Sequence, residues 1–322
     1  MTGTREVQPK LIIHGGAGSA LKSKGDLAVV RQELHQIVQQ VYDLLLAGES
    51  ATVAVVHGCK LLEDNPRFNA GTGSVLQADG QIRMSASLMD GEKQRFSGVI
   101  NVSRVKNPIE LAYFLQSDED RVLSDYGSAQ LARELQLPVY DPLTDLRLQE
   151  WIEERKNNFA KKMAGVIAET QKTSDDRDNA RRGTIGVVAL DKQGRISAGT
   201  STGGKGLERI GRVSDSAMPA GNYANPFAGV SCTGIGEDII DECLAAKVVI
   251  RVTDGLSLFE AMEKSMKEAK ANGRDLGAIA IDYRGSIAFG KTSDILLAAY
   301  HDGTAIGDSL QWPDEGKLVF GV

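Results

Sequence analysis

The sequence predicts a protein of the mixed α/β class in which layered β-sheets are flanked by pairs of helices. Three observations support this prediction: predicted helices come in pairs, predicted strands come in runs, and the 322 residues suffice for a core that folds without disulfide or metal. A fold with strictly alternating strands and helices is therefore not expected. The sequence has no internal repeat.

Composition narrows the possible functions. Hydrophobic residues make up 42% of the chain and charged residues 25%, which excludes disorder throughout, and the net charge of −6 argues against a nucleic-acid partner. The N-terminus lacks the apolar core of a secretory signal, and no stretch reaches the roughly 18 apolar residues of a membrane span. We therefore expect a cytoplasmic protein without a membrane partner, whose three cysteines are reduced and buried.

The N-terminal elements have clear local signals. The apolar run from Leu11 to Ile13 predicts a buried strand that enters a glycine turn. Apolar residues at helical spacing predict a helix from Leu27 to Leu46, and Gly48 is a typical C-terminal stop. Ser50 is an N-cap candidate for a second helix that runs through Leu62.

The following segment ends in a linker. The sequence predicts a loop at 65–74, strands at 81–87 and 97–102, and helices at 108–116 and 129–135. Pro108 fits the first turn of its helix, where its missing N–H is not needed. From Leu146 to Glu169 the pattern is helical but heavily charged, and the segment from about 170 to 183 is so polar that we expect a mobile linker.

Strand signals dominate after the linker. A β-branched run at 183–190 predicts a central strand, and residues 195–198 pair with it across an Asp-Lys-Gln-Gly turn. Further strands are predicted at 229–233, 278–282, 286–291 and 295–300, and helices at 238–252 and 258–271.

The junction between Gly183 and Thr184 is unusual because a polar linker runs directly into a buried strand. A simple linker between two domains would explain this pattern. The alternative is self-cleavage, since a threonine at a new chain end carries an α-amine with a reference pKa of about 8 that can serve as base for its own hydroxyl. The preceding glycine leaves the scissile carbonyl sterically open.

Six short motifs occur in the order found in one known family. They are Phe68-Asn-Ala-Gly71, Met89-Asp-Gly91, Gly183-Thr-Ile-Gly186, Thr200-Ser-Thr-Gly-Gly204, Gly211-Arg-Val-Ser-Asp-Ser216 and Ser231-Cys-Thr-Gly234. Through them the chain, from His14 onward, resembles the plant-type asparaginases/isoaspartyl peptidases of the N-terminal-nucleophile hydrolase superfamily. The resemblance implies a single αββα sandwich, cleaved into an α subunit (1–183) and a β subunit (184–322), which assemble as a dimer of αβ units.

The resemblance also implies which residues react. It makes Thr184 the nucleophile and the bond after Gly183 the site of self-cleavage. It pairs Thr202 with the hydroxyl of the nucleophile, and it gives Thr200 a supporting position. Asn69 matches an asparagine that lies beside the nucleophile.

Substrate-binding positions follow from the same resemblance. Thr233 and Gly234 match a hydroxyl and a backbone N–H that form an oxyanion hole. Arg212 and Asp215 match the pair that holds the α-carboxylate and the α-amine of the substrate, and Gly236 belongs to the same group. A guanidinium suits a carboxylate, and a carboxylate suits an ammonium group. The implied substrates are L-asparagine and β-aspartyl dipeptides.

The resemblance implies no catalytic cofactor, but it suggests a structural cation. The segment from Leu62 to Thr72 resembles the family's sodium loop, in which backbone carbonyls bind Na⁺ or K⁺, and hard cations prefer such oxygen ligands. The carbonyls in question belong to Leu62, Glu63, Asn65, Phe68, Ala70 and Thr72.

The sequence departs from the family pattern in three places. Ser85 stands where relatives usually carry aspartate, which affects support of the active site or the dimer. Ala278 stands where a glycine is common, and we expect it to narrow the leaving-group side of the pocket. The third departure is the pair Arg181-Arg182 before Gly183, for which we have no physical explanation.

Three other functions fit parts of the sequence. The segment Gly199 to Gly203 matches G-x-S-x-G, which would make Ser201 the nucleophile of a serine esterase, with His301 as the only downstream histidine. The stretch that begins at Gly199 also nearly matches a phosphate-binding loop, except that Gly206 replaces the required Ser or Thr. An uncleaved binding module on the same scaffold is the third alternative.

Overall fold

In the computed structural model, which describes residues 7–18, 24–156 and 183–311, two stacked β-sheets lie between two layers of helices. The strands are β1 (Lys10–Gly18), β2 (Met84–Asp90), β3 (Arg95–Val102), β4 (Val122–Ser124), β5 (Ile185–Leu190), β6 (Ile196–Thr202), β7 (Asn222–Ala224), β8 (Ala228–Gly234), β9 (Leu276–Asp282), β10 (Ile287–Lys291), β11 (Ile295–His301) and β12 (Ile306–Asp308). The helices are α1 (Lys24–Ala47), α2 (Ala51–Asp64), α3 (Pro108–Phe114), α4 (Asp125–Glu134), α5 (Asp145–Lys156), α6 (Gly236–Glu242), α7 (Leu244–Thr253) and α8 (Leu258–Ala271).

The two sheets are antiparallel apart from one strand pair. The larger has the order β12-β11-β1-β5-β6-β2-β3-β4, in which only β3 and β4 run parallel, and the smaller has the order β10-β9-β8-β7. Strand β5, which begins one residue after Thr184, therefore lies between β1 and β6 near the middle of the larger sheet. Within the described ranges, no helix combines the length and the apolarity that a membrane crossing requires.

Three apolar cores separate the four layers, because strand side chains alternate between the two faces of a sheet. Ile185 and Val187 of β5 pack with α1 and α2, whereas Val188 points between the sheets and packs with Ile279 and Ile281 of β9. A third core joins the smaller sheet to α7 and α8. This arrangement confirms the predicted αββα class.

Several predicted helix signals are confirmed. The Ser50 side chain accepts a hydrogen bond from the Val53 N–H at 3.3 Å, and Gly48, with φ of +99°, follows the end of α1. Pro108 is the first residue of α3. Ser257 and Glu260 form a reciprocal capping box at the start of α8.

Other predictions need correction. The strand predicted at 81–87 begins at Met84 and extends to Asp90, and the strand predicted at 195–198 extends to Thr202. The helix predicted at 238–252 is two helices, because Cys243 adopts the left-handed conformation with φ of +47° and interrupts the ladder. Cys243 is also exposed, so only two of the three free cysteines, Cys59 and Cys232, are buried.

The charged helix predicted from Leu146 is confirmed over its described part. Helix α5 covers 145–156 of the predicted 146–169, and the remainder, together with the linker and Arg181-Arg182, lies outside the described residues. Two side chains attach α5 to the loop that follows α2: Arg147 Nε donates to the Gly73 carbonyl, and Trp151 Nε1 donates to the Gln77 carbonyl, both at 2.9 Å.

Candidate active site

Thr184 lies at the start of β5, buried between the sheets, and its hydroxyl meets that of Thr202. The antiparallel register of β5 and β6 pairs Ile185 with Ser201, which places residues 184 and 202 opposite each other. Thr184 Oγ1 donates to Thr202 Oγ1 at 3.2 Å. The predicted contact between these two threonines is therefore present in the continuous chain.

The Gly183 carbonyl, which precedes Thr184, accepts two side-chain hydrogen bonds. Asn69 Nδ2 donates to it at 2.7 Å, and Thr202 Oγ1 donates at 3.4 Å. Both donors withdraw electron density from the carbonyl carbon and would stabilise negative charge on its oxygen. A threonine hydroxyl, the preceding backbone carbonyl and two side-chain donors are thus assembled around one peptide bond.

Four hydrogen bonds, including the one to Gly183, fix the position of Asn69. Its Nδ2 also donates to the Gly204 carbonyl at 2.7 Å, and its Oδ1 accepts from the Val75 N–H at 3.0 Å. Its backbone carbonyl accepts from the Gly203 N–H at 2.9 Å. The amide orientation is fixed by these partners, so Asn69 presents N–H groups, not its oxygen, to Gly183.

Thr233 and Gly234 lie at the end of β8, in the smaller sheet. The fully buried Thr233 hydroxyl accepts a hydrogen bond from the Ala17 N–H at 3.1 Å, which leaves its own hydrogen free to donate. Gly234 has φ of +130°, and a Cβ there would lie 2.5 Å from Leu276 Cα. Only glycine fits this position.

Thr200, for which the resemblance implies a supporting position, contacts the smaller sheet. Its hydroxyl lies 2.7 Å from Ser231 Oγ, and Ser231 Oγ lies 2.9 Å from His14 Nε2. Burial lowers the pKa of His14 to about 3, an effect that the Thr184 backbone partly offsets, so the imidazole is neutral. Neither His14 nor Ser231 was assigned a role from sequence, because nothing in the linear pattern brings strands of different sheets together.

Arg212 and Asp215 lie together but are not paired with each other. Arg212 forms a bidentate ion pair with Glu237, through Nε at 2.7 Å and Nη2 at 3.0 Å. A Cβ added to Gly236 would lie 2.5 Å from Arg212 Nη2 and 2.7 Å from Asp215 Oδ1, so the two charged groups meet above this glycine. The three predicted binding residues therefore converge, and Glu237 joins them.

The two carboxyl groups near Arg212, those of Asp215 and Glu237, have pKa values shifted in opposite directions. Burial raises the pKa of Asp215 to about 6, against the opposing effect of Arg212, and Asp215 Oδ2 is buried without a hydrogen-bond partner among the described residues. Hydrogen bonds from Arg212 lower the pKa of Glu237 to about 2. A buried carboxylate oxygen without a hydrogen-bond partner is an available acceptor for an ammonium group.

The loop expected to bind a cation is closed by its own backbone. The carbonyls of Leu62, Glu63 and Asn65 accept hydrogen bonds from the N–H groups of Asn65, Thr72 and Phe68, respectively. The Glu63 side chain is fully buried, and burial raises the pKa of its carboxyl group to about 8. In the described part of the chain, no cluster of three His, Cys, Asp or Glu residues could hold a metal.

The structure contradicts three interpretations of the sequence, two of which were alternative functions. Ser201 does not act as an esterase nucleophile, since its hydroxyl points to the helix side of the sheet and donates to Glu63 Oε1 at 2.6 Å, while His301 stacks on Tyr42. Ala278 packs in the core under α7 and α8, so it does not narrow the pocket. The segment from Gly199 is part of strand β6 and does not form a phosphate-binding loop.

The departure at Ser85 falls next to the site. Ser85 pairs with Thr202 across β2 and β6, and its hydroxyl accepts a hydrogen bond from the Asn101 N–H at 3.2 Å. Asn101 Nδ2 donates in turn to the Arg212 carbonyl at 3.1 Å. Ser85 thus supports the strand that carries Thr202 and the loop that carries Arg212.

An αββα sandwich with a threonine at the start of a central strand defines the class of N-terminal-nucleophile hydrolases. Within this class the chain belongs to the asparaginase family, whose model, described as Asparaginase, matches residues 7–311. It is 71% identical to the isoaspartyl peptidase/L-asparaginase of Nostoc sp., over 95% of this chain and 96% of the relative. The protein of the same name from Synechocystis sp. is 70% identical over 95% and 92%, and that from Homo sapiens is 33% identical over 98% and 96%.

Proposed function

We propose that the protein is a hydrolase of L-asparagine and β-aspartyl dipeptides that matures by cleaving its own chain between Gly183 and Thr184. The proposal rests on the contacts around this peptide bond. The Thr184 hydroxyl contacts Thr202, while Asn69 and Thr202 both donate to the Gly183 carbonyl. The relatives from Nostoc and Synechocystis carry both activities in their names.

Maturation begins when Thr184 Oγ1 attacks the Gly183 carbonyl carbon, and the proton that this hydroxyl releases is the one that the Thr184 nitrogen takes up. The C–N bond breaks, the nitrogen takes up a proton, and the resulting ester is hydrolysed by water. Asn69 and Thr202 stabilise the oxyanion of this step. The products are an α subunit of residues 1–183 and a β subunit of residues 184–322 within one folded domain.

Hydrolysis then uses the new end of the chain. The free Thr184 amine removes the proton from the Thr184 hydroxyl, which attacks the side-chain acyl carbon of the substrate. The Thr233 hydroxyl, which accepts from Ala17 and can therefore donate, stabilises the oxyanion together with the Gly234 N–H. The amine returns the proton to the leaving group, and water releases aspartate from the acyl-enzyme.

Substrate recognition relies on the group above Gly236. The α-carboxylate of the substrate binds the edge of the Arg212 guanidinium that Glu237 leaves free, and the α-ammonium group binds Asp215 Oδ2, which has no hydrogen-bond partner among the described residues. The two substrate groups are attached to one carbon atom, and Arg212 Nη2 and Asp215 Oδ1 likewise lie close together, both within 2.7 Å of the position that a Cβ on Gly236 would take.

The proposal extends to assembly and to a bound ion. We expect a dimer of αβ units in the cytoplasm, and a structural Na⁺ or K⁺ on carbonyls of the loop at 62–72. The tight closure of this loop, with the Thr72 N–H donating to the Glu63 carbonyl at 2.8 Å, supports a fixed geometry. Thermal unfolding in sodium, potassium and choline salts tests for the ion, and sedimentation tests the assembly.

Mass spectrometry of the purified protein tests the central step. We expect a fragment that starts at Thr184 in the wild type and a single full-length chain in Thr184→Ala. Wild-type protein that remains whole and binds asparagine without hydrolysing it would instead support the uncleaved binding module.

Steady-state kinetics test the recognition step. Removal of the Arg212 side chain deletes a charge-assisted bidentate contact, so Arg212→Ala should raise KM by about 100-fold or more. Arg209→Ala, three residues earlier in the same loop, is the matched control and should leave KM within about twofold. An unchanged KM in Arg212→Ala would remove this residue from carboxylate binding.

A further inference from the structure

A row of three residues crosses the larger sheet one step beyond the nucleophile. Strand registers pair His14 with Gly186 and Gly186 with Thr200, so these residues lie side by side on β1, β5 and β6. Gly186 is two residues from Thr184 and faces the same side of β5. The row therefore borders the nucleophile directly.

Because Gly186 has no side chain, a residue of the smaller sheet can contact this row. A Cβ at residue 186 would lie 1.9 Å from Ser231 Oγ and 2.3 Å from His14 Nε2, distances that no side chain tolerates. The Ser231 hydroxyl occupies that space, between His14 Nε2 at 2.9 Å and the Thr200 hydroxyl at 2.7 Å. These contacts form a bridge of three buried polar groups between the two sheets.

The segment 14–17 makes two further contacts with the site. The Ala17 N–H donates to Thr233 Oγ1, and Thr233 lies two residues after Ser231 on the same face of β8. Gly15 leaves room for the buried Phe68 ring, since a Cβ there would lie 2.4 Å from that ring, and Phe68 precedes Asn69. One segment thus contacts the strand of the oxyanion hole and the residue next to the scissile-carbonyl donor.

The bridge matters because its two ends carry different parts of the reaction. The nucleophile belongs to the larger sheet, whereas Thr233 and Gly234 belong to the smaller one, and backbone hydrogen bonds do not link the two sheets. Oxyanion stabilisation requires donors within a narrow distance of the developing charge, and a shift of about 1 Å can reduce the rate by about 100-fold. The distance between β8 and β5 should therefore affect the rate of hydrolysis.

We propose that His14 and Ser231 are positioning residues. Their hydrogen bond holds β8, the strand of the oxyanion hole, at a fixed position against β5, the strand of the nucleophile. The proposal rests on the proposed function, because it presupposes Thr184 as nucleophile and Thr233 as oxyanion donor. His14 acts as a neutral hydrogen-bonding group and takes no proton during turnover. Thr200 contributes by contacting Ser231 rather than Thr184.

The experiment compares Ser231→Ala, His14→Ala and His14→Gln with the wild type. Mass spectrometry gives the cleaved fraction, and kcat is expressed per cleaved chain. We expect kcat to fall about 10- to 100-fold in Ser231→Ala and His14→Ala while KM changes less than about twofold, because substrate binding does not use the bridge. His14→Gln, which keeps an N–H or carbonyl group near the Nε2 position, should recover part of the loss.

Ser97→Ala is the matched control, since Ser97 is also fully buried and its hydroxyl donates to the Ala112 carbonyl on the helix side of the sheet. It should cost similar thermal stability and leave kcat unchanged. The pH profile of kcat in the His14 variants should keep its wild-type shape.

Three results would overturn the proposal. An unchanged kcat per cleaved chain in both alanine variants would show that the bridge does not position the site. A displaced pH profile in His14→Gln would make His14 a proton-transfer group. Wild type that neither cleaves itself nor hydrolyses either substrate would refute the proposed function and the bridge with it, whereas an active wild type with an undiminished kcat per cleaved chain in Ser231→Ala and His14→Ala refutes the bridge alone.

Discussion

The layer between the two sheets has an apolar half and a polar half, although the same strands build both. On β5, Val188 and Leu190 give way to Gly186 and Thr184, and on β6, Ile196 and Ala198 give way to the threonines at 200 and 202. On β8 the change falls between Gly229 and the hydroxyl residues 231 and 233. On all three strands, the change from apolar to polar residues occurs at the same height within the layer between the sheets.

The comparison separates two tasks that the fold performs with one geometry. The apolar half joins the sheets through side-chain packing, which is strong but not directional. The polar half joins them through directed hydrogen bonds, which fix distances between reacting groups but stabilise the fold less. Substitutions in the two halves should therefore differ in kind: the polar half should respond in activity, and the apolar half in stability.

The sharpest contrast lies between two glycines. A Cβ at Gly186 meets polar atoms of the bridge, whereas a Cβ at Gly229 lies 2.7 Å from Ile196 Cγ2, an apolar neighbour. Gly186→Ala should lower kcat per cleaved chain by about 100-fold or more, because Ser231 and His14 are displaced. Gly229→Ala should lower the melting temperature and keep kcat, and equal kcat losses in both variants would erase the distinction between the halves.

A cavity in the apolar half should act on stability alone. Ile281 is fully buried between the sheets, and Ile281→Ala should lower the free energy of unfolding by about 2–5 kcal/mol. Urea titration measures this loss, and kinetics at a temperature where the variant is folded should give wild-type kcat. A large fall in kcat would mean that packing and positioning are not separable here.

Acid should weaken substrate binding through Asp215. Its carboxyl group has a pKa raised to about 6 by burial, and only the ionised form attracts the substrate ammonium group, so binding is lost as pH falls through 6. The slope of log kcat/KM against pH should steepen by about one unit below pH 6, which corresponds to about tenfold per pH unit. Asp215→Asn, already weak in binding, should lack this steepening, and a wild-type profile without it would contradict the assignment.

The smallest expected effect concerns the orientation of Arg212. Glu237 holds one edge of its guanidinium, so Glu237→Gln, which weakens that ion pair, should raise KM several-fold, with kcat within about twofold. Glu242→Gln at the other end of α6, where the carboxylate pairs with Lys247, serves as control and should leave KM unchanged. A KM effect of equal size in both variants would indicate damage to the helix rather than to Arg212.

Much of the fold and part of the site follow from local sequence. Long periodic segments such as α1 and α8 and the capping serine at 50 were predictable, because their signals lie within a few residues. The three-residue strands β4, β7 and β12 were not, since three residues cannot show a period. The break at Cys243 has no glycine to announce it.

The site shows the same division between local and distant information. The contact between Thr184 and Thr202 was expected from the family resemblance, and the register of two strands joined by one short turn produces it. His14 and Ser231 are 217 positions apart and belong to different sheets, so only the stacking of the layers brings them into contact. Ala278 was misassigned because a one-residue difference in a strand decides which face a side chain occupies.

The contact between Asn69 and Gly183 has a consequence for the mature molecule. If the chain breaks after Gly183 and that end departs, one amide hydrogen of Asn69 is left in a buried place without its acceptor. The space left by the Gly183 carbonyl adjoins Thr184, so a polar group of the substrate or a water molecule can accept that hydrogen bond while the acyl oxygen binds Thr233 and Gly234. Cleavage of the chain would in this way add a hydrogen-bond donor to the pocket.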